Sequence, residues 1–173
     1  MNSIALVNIT RFILLMALQI LVLRQMNYGP IFGGYLRVFM YPLFLLLLPY
    51  RMTVELAMII GFATGLLVDV AYDTFGIHAS TAVALIAIRT IIIQRLEPKG
   101  GYNLNKGLTP DSYGWTWFAK YIIYCYLFFA LWLSILEVFQ IWKVLEILLR
   151  AVLILPVSIF FIFISIQVFN PRN

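Results

Sequence analysis

The chain has 173 residues, 64% of them hydrophobic and 11% charged, and its mean hydropathy is +0.99. Its 12 Lys and Arg and 7 Asp and Glu side chains compare with roughly 40 charges in a soluble domain of this size, too few to coat a water-soluble globule. A soluble enzyme and a disordered chain are both excluded, and the length allows one integral membrane domain of about six spans at ~20 residues each. The net charge of +5 comes from bases spread singly along the chain. That pattern sets membrane orientation and attracts anionic lipid rather than nucleic acid.

The first predicted span covers residues 4–23, with Arg11 near its start. It lacks a basic leader and a small-residue cleavage site, and leaves through Leu23, Arg24 and Gln25, so it is expected to stay as an anchor. Tyr28, Gly29 and Pro30 through Gly33 and Gly34 predict a turn. The second span, 35–49, is short and carries Arg37 and an internal Pro42. It reads as a kinked helix, with a re-entrant hairpin as the alternative. Spans three and four, 54–72 and 77–94, are joined by only Asp73, Thr74, Phe75 and Gly76, so they must be antiparallel neighbours. A polar loop rich in Gly and Pro follows over 96–114, a contact loop or a mobile one, in which Lys99 and Lys106 are the candidates for inner-face contact with protein or lipid. Trp115, Trp117 and Tyr121 mark an interface belt at the fifth span, 117–136, and the sixth covers 147–169. With six spans and the N-terminus inside, eight bases fall on the cytoplasmic side and four outside, which predicts both termini in the cytoplasm.

The third span holds the most informative pattern, Gly61, Gly65, Asp69 and Asp73 at four-residue steps along one helix face. The two glycines allow close approach by another helix. Asp69, about a turn from the outer boundary, is expected to face inward with a partner, and Arg37 and the single histidine, His78, arrive at the same end. Three chemistries compete for Asp69, Asp73 and His78. A divalent metal is poorly supported by the spacing, and no metal or cofactor is expected. An intramembrane aspartyl protease is rejected because the second Gly-x-Gly-Asp motif is absent. The leading reading is structural, with Asp69 bonding across helices while Asp73 and His78 fix the turn. Nucleophilic chemistry finds little support, since there is one His, one Cys (Cys125, in an apolar run) and no Gly-x-Ser-x-Gly elbow. Embedded Arg11 and Arg89 either form a pocket with Glu55 or snorkel to the interface, the commoner outcome.

The block Gly61-Phe-Ala-Thr-Gly65-Leu-Leu-Val-Asp69, followed by Gly76-Ile-His78-Ala79, resembles the rod shape-determining protein MreD family. Length, hydropathy and the six-span layout agree with that family over almost the whole chain, while its specific signature covers about 20 residues. The second span and the length of the 96–114 loop depart from the family pattern. The resemblance implies a non-enzymatic subunit of the bacterial cell-elongation machinery in the inner membrane. Its implied partners are an MreC-like bitopic protein, an MreB-like filament, a RodA-type glycosyltransferase and a class B penicillin-binding transpeptidase. It also implies an all-α, six-helix transmembrane bundle similar to the substrate-binding subunits of energy-coupling-factor transporters. That similarity supplies the alternative function, a membrane subunit that binds a vitamin-like small molecule. A transporter subunit should show a wet pocket lined by stacking aromatics at the outer face; a scaffold should show a filled interior.

Overall fold

A computed structural model describes residues 3–27, 37–98, 100–103 and 107–169, and these are all-helical, with no strand among them. The predicted turn at 28–34, Lys99, Lys106 and the tail 170–173 lie outside the described residues. Helix α1 (Ser3–Ala17) passes without a break into a π-helical stretch, Leu18–Leu23, and a last turn, Arg24–Asn27. There follow a short α2 (Tyr41–Leu46), α3 (Val54–Tyr72), α4 (Ile77–Arg95), a single turn α5 (Pro110–Tyr113), α6 (Trp115–Val138) and α7 (Val144–Phe169). Helices α3, α4, α6 and α7 are long and apolar enough to cross a membrane. Their outward faces keep large apolar side chains exposed, among them Ile59, Val70, Leu127 and Val152, as expected of surfaces that lipid covers.

Helices α3 and α4 pack as an antiparallel pair, α6 packs on α7 and on α4, and α1 on α2. The links at 73–76 and 139–143 lie at one end of the bundle, here the link end, together with Arg24. The opposite, or loop, end carries residues 49–53 and the 96–114 loop.

The second predicted span requires correction. Of its described residues only Tyr41–Leu46 are helical. Six residues rise about 9 Å, against a hydrocarbon core of about 30 Å. Pro42 does not kink this helix; it sits in the first turn, where its missing N–H is not needed. Every residue from 38 to 48 is buried, so no face is left for lipid. The segment runs lengthwise inside the bundle rather than doubling back. The Phe39 ring lies 5.2 Å from that of His78, whereas the Leu48 carbonyl accepts from Arg89 at 2.6 Å, eleven residues and about 16 Å further along α4.

Non-helical backbone at membrane depth is tolerated only where protein groups satisfy it, and here side chains from four helices do so. From the π-helical continuation of α1, Gln19 accepts at Oε1 from the Met40 and Tyr41 N–H groups (2.7 and 3.4 Å) and donates from Nε2 to the Val38 carbonyl (3.3 Å). The first two are donors at the start of α2, so Gln19 caps a helix in another part of the chain. Ser158 of α7 accepts from the Phe39 N–H at 3.1 Å, and the Tyr126 hydroxyl of α6 donates to the Phe39 carbonyl at 3.2 Å. At the other end of α2, the Tyr121 hydroxyl donates to the Leu46 carbonyl (2.9 Å) while Arg89 of α4 holds that of Leu48. A cation and a hydroxyl thus meet the negative end of the short helix dipole.

Candidate functional site

Three members of the four-residue stripe on α3, Gly61, Gly65 and Asp69, are used up inside the bundle. A methyl group added at Gly65 would stand 2.4 Å from the Ala79 Cα and 2.5 Å from the His78 carbonyl oxygen, so the two backbones touch there. At Gly61 the nearest atoms are the Ile86 side chain at 3.3 Å and the Ala82 oxygen at 3.4 Å, a looser contact. One turn beyond Gly65, Asp69 is 3% exposed. Its carboxylate accepts from the backbone N–H groups of His78 (3.0 Å) and Ala79 (2.8 Å) and from the Thr74 hydroxyl (2.6 Å).

These bonds follow from local geometry. Helix α4 begins after Gly76, whose φ of +79° suits glycine and which has no side chain to cap the helix. His78 and Ala79 occupy the positions whose N–H groups a capping Ser or Asp would ordinarily bind. Asp69, delivered by α3, takes that role across the link, and the positive end of the α4 dipole favours its charge. Asp73 terminates α3 in the left-handed conformation at φ 55°. Its own carboxylate points outward to Arg24 at 3.3 Å, an exposed pair.

The expected pairing of Arg37 with Asp69 is corrected. Arg37 forms its ion pair with Glu137 at the end of α6, and Glu137 also holds Arg150 at 3.3 Å. Arg150 reaches Glu146 at 2.7 Å, and Lys143 lies 3.8 Å from the same carboxylate. His78 is buried with Nδ1 3.3 Å from the Tyr41 hydroxyl, and its ring packs against Phe39, Tyr41 and Tyr72. The Tyr72 hydroxyl accepts from the Gln19 amide at 2.6 Å. His78 therefore belongs, by its ring, to an aromatic layer closing the link end, while its backbone N–H binds Asp69. Among the described residues, no three His, Cys, Asp or Glu side chains converge as a metal-binding group. Cys125 is buried at 0% exposure.

The residues missed from the sequence are Gln19, Tyr126, Ser158, Glu137 and Arg150. A signal for three of them was present, since Gln19, Glu137 and Ser158 are polar groups within or bordering apolar runs, where such residues mark internal contacts. At the loop end, Arg89 is buried and donates to Tyr121 (3.0 Å) as well as to Leu48, while Glu55 is exposed. The described part of the 96–114 loop is docked. Leu108 and Thr109 are fully buried, the Trp117 indole donates to the Leu96 carbonyl at 2.8 Å, and the Tyr102 hydroxyl donates to the Ile93 carbonyl at 2.8 Å.

Burial pushes the Tyr102 phenol up to about 12. Since its folded value lies above the unfolded one, near 10, its contribution to loop docking is full below pH ~10 and is lost as pH rises through ~12. A difference titration against Tyr102→Phe, followed by the ultraviolet absorbance of ionised tyrosine, should show one phenol titrating near 12. A Tyr102 that titrates with free tyrosine would contradict the docked geometry.

In comparisons with protein-family models, curated proteins and solved structures, nothing matches this chain.

Proposed function

We propose that this protein is a non-enzymatic membrane subunit of the bacterial cell-elongation machinery that works by holding the membrane helix of an MreC-like bitopic partner. Through that partner it couples the RodA-type glycosyltransferase and class B transpeptidase outside to an MreB-like filament inside. The reading starts from the MreD-like block Gly61 to Asp69 and Gly76 to Ala79. The observation that carries it is that, among the described residues, the chain's own residues 38–48 occupy the bundle centre. The aromatic side chains Phe39, Tyr41 and Tyr72 at the link end pack on one another and on His78. A vitamin-binding subunit would need that space open. Among the described residues, outward helix surface and the links are open for recognition, and there Phe75, Phe139 and Trp142 are almost fully exposed. Helix association in lipid relies on such close surface packing.

The orientation we propose places the link end outside and both termini in the cytoplasm of an inner-membrane protein. In a Cys125→Ala background, a single cysteine at position 143 should react with an impermeant external reagent and one at position 106 should be protected. Labelling at 106 from outside would contradict it. Deleting the gene in a rod-shaped host should round the cells, and supplied wild-type, Cys125→Ala and His78→Gln proteins should each restore rods. Normal rods after deletion would overturn the functional reading, and loss of rescue by either variant at normal protein level would return catalysis to consideration.

A further inference from the structure

Helix α7 carries a proline in mid-span, Pro156, twelve residues after its first residue and thirteen before its last. Proline has no N–H to give, so the carbonyl four residues earlier, that of Val152, loses its helical donor. In a membrane helix such a carbonyl is satisfied by a local change of helix type, a Ser or Thr side chain, a neighbouring helix or water.

The surroundings of Val152 remove each of these in turn. The backbone stays α-helical from Val144 to Phe169, without a 3-10 or π turn. Hydroxyl side chains bond back to the carbonyl three or four residues before them, and here those positions are Leu155 and Pro156. The two serines of α7, Ser158 and Ser165, are buried on its inward face. Val152 is 65% exposed and Pro156 is exposed with it, so this face turns away from the other helices of the chain. Of the four long helices α7 is also the least covered, with 28% of its span buried against 33% to 44% for the others. Water is absent from the middle of a bilayer, and lipid tails carry no donor. The donor that remains is one on another chain.

We infer that the Val152–Pro156 face of α7 is the docking surface for a partner's transmembrane helix that brings a hydroxyl or carboxamide side chain to mid-membrane. The inference rests on the scaffold role proposed above and names the surface that carries it. The face is apolar with one unused acceptor, so the surface that fits it is apolar with one donor. In lipid, where burial of apolar surface gives little drive, such a polar contact adds to close packing in holding two helices together. A second copy docked face to face does not serve, because the neighbouring exposed side chains of α7, Leu148, Leu149 and Phe160, offer no donor.

The test uses the full chain in native membranes, with a photoreactive phenylalanine analogue placed at position 152 or, for comparison, at position 70, where Val70 is exposed on α3. The probe at 152 should cross-link to the single-span partner that co-purifies with the wild type, and the probe at 70 should not. Pro156→Ala returns a helical donor to the Val152 carbonyl. It should lower the amount of partner recovered about threefold, as expected of one interhelical hydrogen bond in lipid, without lowering the melting temperature of the purified protein. If that variant melts lower, Val152→Trp, which covers the same carbonyl and leaves the helix bonds of α7 unchanged, should produce the same loss of partner. Cross-linking from position 70 rather than 152, cross-linking to a second copy of this chain, or undiminished recovery with both variants would overturn the inference and leave the scaffold role standing. Absence of any single-span partner from the wild-type preparation would instead remove the scaffold role, and the inference with it.

Discussion

Gly65→Ala should lower the unfolding free energy in detergent by about 3 kcal/mol, at the upper end of what overpacking costs, while Gly61→Ala should change it by less than about 1 kcal/mol. Both changes gain the same helix propensity, roughly 1 kcal/mol over glycine, so the difference comes from what the new methyl group meets. At Gly65 it meets the backbone of His78 and Ala79, inside van der Waals distance, and backbone cannot turn aside as a side chain does. Helices α3 and α4 would have to separate, stretching the bonds from the His78 and Ala79 N–H groups to Asp69. At Gly61 the closest contact is the Ile86 side chain at 3.3 Å, which needs to shift by only a few tenths of an ångström. Chemical or thermal unfolding of the two variants side by side checks this, and equal effects would contradict the packing described.

Asp69→Leu should be the most damaging single change at the link end, about 4 kcal/mol, because it leaves two buried N–H groups and a hydroxyl without their acceptor. Asp69→Asn should cost less, since its one oxygen still accepts while its amide faces donors. Asp73→Asn should cost below about 1 kcal/mol, as the pair with Arg24 is exposed and Asn tolerates the left-handed conformation. Protein level in the membrane and melting temperature both report this order. An Asp73→Asn variant as damaged as Asp69→Leu would contradict the capping role of Asp69.

The α3–α4 pair was legible because two local signals agree: small residues every four positions, and a link too short for anything but antiparallel neighbours. The partners of Asp69 were not, because the acceptors sit on one helix and two of the three donors are backbone groups of the next, which side-chain types do not reveal. Arg37 illustrates the same limit. Proximity to the link end made Asp69 its candidate partner, but Glu137, 100 residues away in the chain, arrives at that end too and takes the pair.

The segment 38–48 was harder still. A run that is apolar on every side fits both a helix in lipid and a strap inside protein. What distinguishes them is the set of groups that bind its backbone, and Gln19, Arg89, Tyr121, Tyr126 and Ser158 are scattered over four helices without any period. The 96–114 loop reads from its Gly and Pro content as a contact loop or a mobile one, and isolated aromatic side chains, Tyr102 and the neighbouring Trp117, tie its described part to the ends of α4 and α6.

The proposed scaffold role is tested most directly by affinity purification of the tagged protein from native membranes, with mass spectrometry of both proteins and small molecules in the eluate. The account predicts an MreC-like single-span protein recovered in amounts comparable to the bait, with no vitamin-like ligand retained. A tightly held vitamin-like molecule, together with the absence of any such partner, would contradict it and favour a transporter subunit.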